Sequence, residues 1–331
     1  MDRGKVYGSE GGVYRVRLES GPEVEASLRG RLKRQARTGD KVVVGDDVDV
    51  LQDPDGSVTI EVVHPRKTQV VRKGPGGRRP KVVAANVDRM IIVGAATRPD
   101  PRQALFDRLM IIGEANGLEM VLVLNKVDLL EGEGPESGPF PSGGVKGSPG
   151  RPEDSQPGEA GKAATVTALA ELYAGLGDRV LKTSVKDGRG LDLLSEVLCQ
   201  GTSALVGPSG VGKSSLLNAI QPGLGLRIGE LSEKAGRGRH TTVSGRLIPL
   251  DCGGLVVDTP GFSDVGVWGV EPRELEECFP EFAPYRGSCR FRGCTHLHEP
   301  GCRVKDALES GEIQAGRFEI YRVLHDEARA D

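Results

Sequence analysis

Residues 207–214, Gly-Pro-Ser-Gly-Val-Gly-Lys-Ser, match G-x-x-x-x-G-K-[ST], a pattern whose chemistry is phosphate binding. The apolar run Ser203–Val206 before them reads as a strand and Ser215–Ile220 after them as a helix. Backbone amides of such a loop, together with the helix N-terminus, face negative charge. Gly207, Pro208, Ser209, Gly210, Val211, Gly212 and Ser215 are therefore expected around the phosphates. Lys213 should reach the β- and γ-phosphates, and Ser214 should offer its hydroxyl to Mg²⁺. A second motif, Asp258-Thr259-Pro260-Gly261, ends the apolar run Gly254–Val257. Its Asp258 suits a Mg²⁺ shell and the Gly261 amide suits a γ-phosphate.

Asn125-Lys126-Val127-Asp128 follows the apolar run Val121–Leu124 and points to guanine. A carboxylate such as Asp128 accepts two parallel bonds from guanine N1–H and its 2-amino group. Adenine offers neither, and an unpaired buried carboxylate costs several kcal/mol. Asn125 would brace the loop and the base, the Lys126 stem would cover the ring, and Thr183-Ser184-Val185 would give a backbone amide to guanine O6. The fold these motifs require is a parallel sheet with helices on its faces, and strand–helix alternation from about Val82 agrees. Strands are expected at Arg89–Ala95, Met120–Leu124, Arg179–Thr183, Ser203–Val206, Gly245–Leu250 and Gly254–Val257, with helices at Pro101–Asn116 and Leu191–Leu198. The motif order is rotated: N-K-V-D and T-S-V precede the P-loop, whereas in an ordinary small GTPase the P-loop comes first. A circularly permuted P-loop GTPase domain follows, spanning 80–265. A Gly/Pro/Ser/Glu-rich stretch at 131–162 reads as a disordered insertion.

The flanks differ in kind. Up to about Arg72, short alternating runs at Val13–Leu18, Val42–Val44, Val48–Val50 and Val58–Val63 suggest about five strands, hence an OB-like β-barrel over 1–73, with an SH3-like barrel as the alternative. Residues 1–81 carry 17 Lys/Arg against 12 Asp/Glu, although the whole chain has a net charge of −3. The excess gathers at Arg29, Arg31, Lys33, Arg34 and Arg37, and again at Arg66, Lys67, Arg72, Lys73, Arg78, Arg79 and Lys81. Such clusters suit RNA phosphates.

Residues 266–331 form a third, partly helical module, with helices near Val304–Glu309 and Arg317–Ala328. Cys289, Cys294, His296 and Cys302 give a Cys₃His set suited to structural Zn²⁺, with His298 as an alternative to His296. Few aromatics are expected to build a core there, so a metal cross-link is expected to hold the module together. Cys199, Cys252 and Cys278 read as buried small apolar residues. The chain has 331 residues, no apolar run long enough for a membrane span and no apolar leader, so a cytoplasmic, monomeric protein is expected.

With these motifs, their order and both flanking modules, the chain resembles the ribosome small-subunit-dependent GTPase A family over nearly its full length. The matching segments include Arg29–Lys33, Val44–Asp46, Ala85–Asp88, Gly238–Thr242, Cys294–Leu297 and Glu299–Cys302. The resemblance implies a late-stage assembly factor that binds the small ribosomal subunit and its rRNA, hydrolyses GTP and is stimulated by the subunit. Two departures from the family pattern are the insertion and Val243, where a third Thr is usual. Switch I falls at Gly236–Val243, where Thr241 or Thr242 should meet Mg²⁺ and the γ-phosphate. Phe262 stands where Ras-like enzymes carry the water-orienting Gln, so His240 is the candidate for that task, or else an RNA contact. The rival readings are a permuted GTPase of large-subunit assembly and a GTP-dependent RNA-binding switch with negligible hydrolysis.

Overall fold

The structure, a computed structural model, describes residues 1–32, 41–73, 80–130, 159–226, 245–258 and 272–330. Alternation governs the first module. In β2 (Val13–Leu18) Tyr14 and Val16 turn inward while Arg15 faces solvent. With β1 (Asp2–Glu10), β3 (Glu23–Leu28), β4 (Asp47–Gln52) and β5 (Val58–Val63) it closes a ring in the order β1-β2-β3-β5-β4-β1. The β3–β5 pair is parallel and the others antiparallel, which is OB topology around Val6, Val16, Val48, Val50 and Ile60. Val42–Val44 is not the strand its apolar run suggests. Asp46 takes the Val43 amide (2.8 Å) and Gly45 turns with φ 87°, leaving a single bridge between Val44 and Ala84.

Between barrel and nucleotide domain lies a hairpin that the alternation did not reveal, β6 (Gln69–Lys73) with β7 (Pro80–Ala85). The nucleotide domain then runs β8 (Arg89–Ala95), α1 (Gln103–Ala115), β9 (Glu119–Asn125), α2 (Glu159–Gly175), β10 (Arg179–Lys182), α3 (Leu191–Leu198), β11 (Thr202–Val206), α4 (Lys213–Ile220), β12 (Arg246–Pro249) and β13 (Leu255–Asp258). Its sheet order is β10-β9-β8-β11-β13-β12, parallel except for β12. Helices cover both faces, so β8 is buried from end to end and β9 from its second residue on, and between their end residues both are apolar runs rather than alternating. Strand β12 pairs with β1 at Arg246↔Gly8, so barrel and nucleotide domain share one continuous sheet.

Of the 131–162 insertion, residues 131–158 lie outside the described residues. From Glu159 the chain is helical, which corrects the expected boundary. The Ala-rich start favours helix, and Val166, Leu169 and Tyr173 bury one face of it.

The last module holds the 3-10 turns Leu275–Cys278 and Pro280–Tyr285 and the helices α5 (Arg303–Ser310) and α6 (Ala315–Ala330). Against expectation it has an aromatic core. The rings of Phe279, Phe282 and Tyr321 sit 5.0–5.2 Å apart and pack with Ile111 of α1. Arg317, 3% exposed, bridges Asp107 of α1 (2.9 Å) and Glu281 (2.6 Å), while Tyr173 donates to Asp107 (2.9 Å).

Cys278 is buried and free, as expected, but Cys199 and Cys252 form a disulfide, and Cys252 is exposed. They lie 53 residues apart in sequence, yet the C-terminus of α3 and the β12–β13 turn bring their Cα atoms to 5.4 Å, within bridging range. Among the described residues no helix is long and apolar enough to cross a membrane.

Candidate functional site

Parallel strands place their C-terminal tips on one edge, and the four expected motifs depend on that. Ala95 pairs with Asn125, Lys182 with Leu124, Val206 with Ile92, and Ala204 with Val257. Asn125, Thr183, Gly207 and Asp258 therefore emerge side by side, where open α/β sheets bind ligands.

Two glycines make the close approach possible. Gly207 has φ 141°, and a Cβ there would lie 2.1 Å from Val93 O. Gly212 has φ 101°, and a Cβ there would strike Asn125 Nδ2 at 2.4 Å. Asn125 Nδ2 donates to Val211 O (2.8 Å) and its Oδ1 accepts from Thr183 Oγ1 (3.1 Å), so this buried side chain ties three motifs together. Lys126, with φ 63°, reaches back to Gly210 O (2.7 Å) and Arg98 O (2.5 Å). Its ammonium clasps the P-loop, while burial lowers its pKa. Asp128 is half-buried and accepts from Ser184 Oγ (2.7 Å), which fixes one carboxylate oxygen at the rim.

The Thr183 and Ser184 amides already donate to Leu124 O (2.9 Å) and Arg189 O (3.0 Å). Of the T-S-V motif, Val185 therefore stands as the remaining source of an amide for guanine O6.

Lys213 and Ser214 open α4 and are both buried. Lys213 Nζ donates to Gly207 O (2.7 Å) and Pro208 O (2.9 Å). Burial lowers its pKa to about 8, opposed by the negative charge of Asp258. Ser215 is half-buried on the same turn. Asp258, 5% exposed, accepts from Arg246 Nε (3.1 Å), a partner not read from sequence; the signal was its place at the start of the strand paired with β13. A buried carboxylate and a buried hydroxyl, on the tip of β13 and the first turn of α4, are a donor set that suits Mg²⁺. His240, Thr241, Thr242, Gly261 and Phe262 lie outside the described residues.

The second centre is a cluster of Cys289, Cys294, His296 and Cys302, whose donor atoms all lie within 4.8 Å of one another. The edges Cys289–Cys302 (3.9 Å), Cys289–His296 Nδ1 (3.6 Å) and His296 Nδ1–Cys302 (3.3 Å) fit a tetrahedron with metal–sulfur bonds of about 2.3 Å. His298 is exposed and outside the cluster. His296 Nε2 lies 2.6 Å from Glu276 Oε2, a partner that fixes the ring so that Nδ1 faces the thiols. Burial pushes the Cys294 thiol up to about 12, so a thiophilic cation would have to displace its proton.

The basic clusters of the barrel are partly engaged within the fold. Arg66 makes two bonds to buried Asp46 (2.7 and 2.9 Å), Arg29 pairs with Glu61, and Arg31 donates to Glu61 O (3.0 Å). Lys33, Arg34, Arg37, Arg78 and Arg79 lie outside the described residues.

A family model described as RsgA GTPase matches residues 63–137 and 158–268. Small ribosomal subunit biogenesis GTPase RsgA of Gemmatimonas aurantiaca is 42% identical over 98% of this chain and 96% of its own length. The protein of the same name from Thermotoga maritima is 40% identical over 92% of this chain and 88% of its own length. Among solved structures, YjeQ from Thermotoga maritima superposes with a TM-score of 0.75 at 34% identity, covering 100% of this chain and 99% of that one. YloQ, described as a circularly permuted GTPase, superposes with a TM-score of 0.69 at 30% identity, covering 100% and 96%. The chain belongs to the RsgA GTPase family.

Proposed function

We propose that this GTPase acts in biogenesis of the small ribosomal subunit, binding the subunit through rRNA and hydrolysing GTP in response. The relatives' shared name supports the subunit, and the observation that carries the nucleotide is the Asn125 brace. One side chain sets the P-loop, the Thr183 loop and the neighbourhood of Asp128 in a single geometry. Asp128 then reads guanine N1–H and the 2-amino group, the Val185 amide meets O6, and Lys126 and Asn125 wall the base. Lys213 turns from the Gly207 and Pro208 carbonyls to phosphate oxygens, with the N–H groups of residues 209–215 around them. Ser214, Asp258 and Thr242 would hold Mg²⁺, which neutralises developing charge on the phosphates. Thr241 and the Gly261 amide would flank the γ-phosphate, and His240 would orient water where Phe262 cannot.

One Zn²⁺ on Cys289, Cys294, His296 and Cys302 would brace the third module. The working division is 1–73, 80–265 and 266–331, in a monomeric cytoplasmic protein.

The test is co-sedimentation with purified small and large subunits, with GDP or a non-hydrolysable GTP analogue, alongside single-turnover hydrolysis. Small-subunit binding favoured by the analogue, with faster hydrolysis, is expected. Equal association with both subunits would overturn the subunit assignment. For the base, Asp128→Asn exchanges an acceptor for a donor and should move preference from GTP to xanthosine triphosphate by about 100-fold. Unchanged GTP preference would remove Asp128 from recognition.

A further inference from the structure

Between the metal-site cysteines Cys289 and Cys294 the chain runs Arg290-Phe291-Arg292-Gly293, four residues that all face solvent. Phe291 is 46% exposed, and among the described residues it is the one Phe or Tyr left exposed. Ordinary folding buries such a ring, as it does Phe279 and Phe282 a few residues earlier. Phe291 is not loose, however. The Arg290 guanidinium lies over its ring, 5.5 Å from the centroid. The Arg290 stem rests on Gly301, where an added Cβ would come within 3.1 Å of it, and the Arg290 amide donates to Gly301 O (3.0 Å). The loop begins and ends at Cys289 and Cys294, two members of the Cys₃His cluster.

Charge along this stretch of sequence is one-sided, although Arg303 pairs with Asp306 just beyond it (3.1 Å). Residues 286–305 hold five Lys/Arg and one Asp/Glu in a chain whose net charge is −3. The single carboxylate, Glu299, is turned to the backbone and hydroxyl of Thr295 (2.9 and 2.8 Å).

We infer that this loop is a stacking platform for an unpaired RNA base, with Phe291 meeting the base face and Arg290 and Arg292 meeting the flanking phosphates. An exposed ring on a rigid loop stacks on any base that has left its helix, whereas a paired base keeps its faces covered. Arg290 and Arg292 flank the ring in sequence, an order that suits a strand with a phosphate before and after each base. The proposal rests on the rRNA-binding reading above and adds to it the residues and the mode of contact.

The test uses the full chain and a fluorescein-labelled single-stranded oligoribonucleotide, with a blunt RNA duplex as control, followed by anisotropy at two salt concentrations. Phe291→Ala should weaken single-strand binding about 10-fold with its salt dependence unchanged, leave duplex binding alone, and be rescued by Phe291→Trp. Arg290→Ala and Arg292→Ala should each flatten the salt dependence by about one phosphate contact. GTP affinity and zinc content are the controls for folding. Wild-type single-strand affinity in Phe291→Ala, or equal losses on single strand and duplex, would overturn the platform. Loss of small-subunit sedimentation with RNA affinity intact would instead assign the ring to a protein contact and also overturn it. If the wild type fails to sediment with subunits, the functional reading falls while the oligonucleotide result still decides the platform.

Discussion

On one side the nucleotide domain meets the barrel through backbone, and on the other it meets the metal module through buried charge. At the barrel, Gly8 pairs with Arg246, Val44 with Ala84, and Ala85 N donates to Val44 O (2.9 Å). One side chain adds to this, Asn86, held at φ 53°, whose Nδ2 donates to Gly45 O (2.9 Å). At the metal module, one guanidinium crosses the interface to carboxylates on both bodies, beneath an aromatic core that includes Ile111. A backbone junction depends on close approach and tolerates no added atom. A charge junction depends on every partner being present, since each buried charge is costly alone.

Metal removal should have the largest effect, because it acts on the charge side and spares the backbone side. The aromatic core abuts the cluster through the edge-to-face contact of Phe282 with His296, and Tyr321 donates to Thr295 O (2.9 Å). Zinc sites of this type contribute about 10–16 kcal/mol in isolated zinc-finger peptides. A strong chelator, or Cys294→Ser, should therefore melt residues 272–330 while GTP affinity largely survives. Circular dichroism with parallel nucleotide titration checks this, and no change in melting on chelation would remove the metal from the fold.

Arg317→Ala should come next. It leaves Asp107 and Glu281 facing each other without their cation, a loss of about 3–5 kcal/mol for a buried pair broken on one side. The expected readout is an early unfolding step confined to the third module, seen by hydrogen exchange. A single cooperative transition at the wild-type temperature would show that the aromatic contacts alone hold the interface.

On the backbone side one methyl group should suffice. Gly45 has φ 87°, and a Cβ there would stand 2.0 Å from Ala85 O. Gly45→Ala should cost about 1–3 kcal/mol and loosen the barrel without touching zinc content. Protection of the Ala85 amide against exchange is the measurement, and wild-type protection would contradict the close-approach account.

The difference between the junctions also marks what could be read from residues alone. The P-loop, N-K-V-D and the Cys₃His set were legible because each is a short string whose chemistry is local. Arg317 was not, since its partner Asp107 lies 210 residues away and an Arg on a C-terminal helix looks like solvated surface. Glu276 behind His296 and the Cys199–Cys252 pair escaped for the same reason. Arg29 and Arg66 show the same blindness from the other direction. Their clustering suits RNA phosphates, and what it does not reveal is that each also has a carboxylate partner, Glu61 or Asp46, on another strand or turn of the barrel. Helix α2 was hidden by the polar run before it, which diluted the periodicity of Val166, Leu169 and Tyr173.

The smallest predicted effect concerns how heavily the charge junction is loaded. Four carboxylates, Asp107, Glu114, Asp178 and Glu281, act on Arg317 or on one another. Burial first, then repulsion from Glu114, raises the pKa of Asp178 to about 6, from an ordinary 3.8. A raised value means that the folded protein holds this proton more tightly than the unfolded chain does. The proton's stabilising contribution is therefore complete below about pH 4 and is lost as pH rises through 6. Above that range wild type carries an ionised Asp178 at a cost of about 1–2 kcal/mol, taking the shift at a discount for partial exposure. Asp178→Asn keeps the shape without the charge. It should match wild type in acid and unfold about 3–6 °C higher at pH 8, the gap opening between pH 4 and 6. Differential scanning calorimetry across that range is the measurement. A variant less stable than wild type at pH 8 would mean that ionised Asp178 attracts Arg317 more than it repels Glu114, making the junction balanced rather than overloaded.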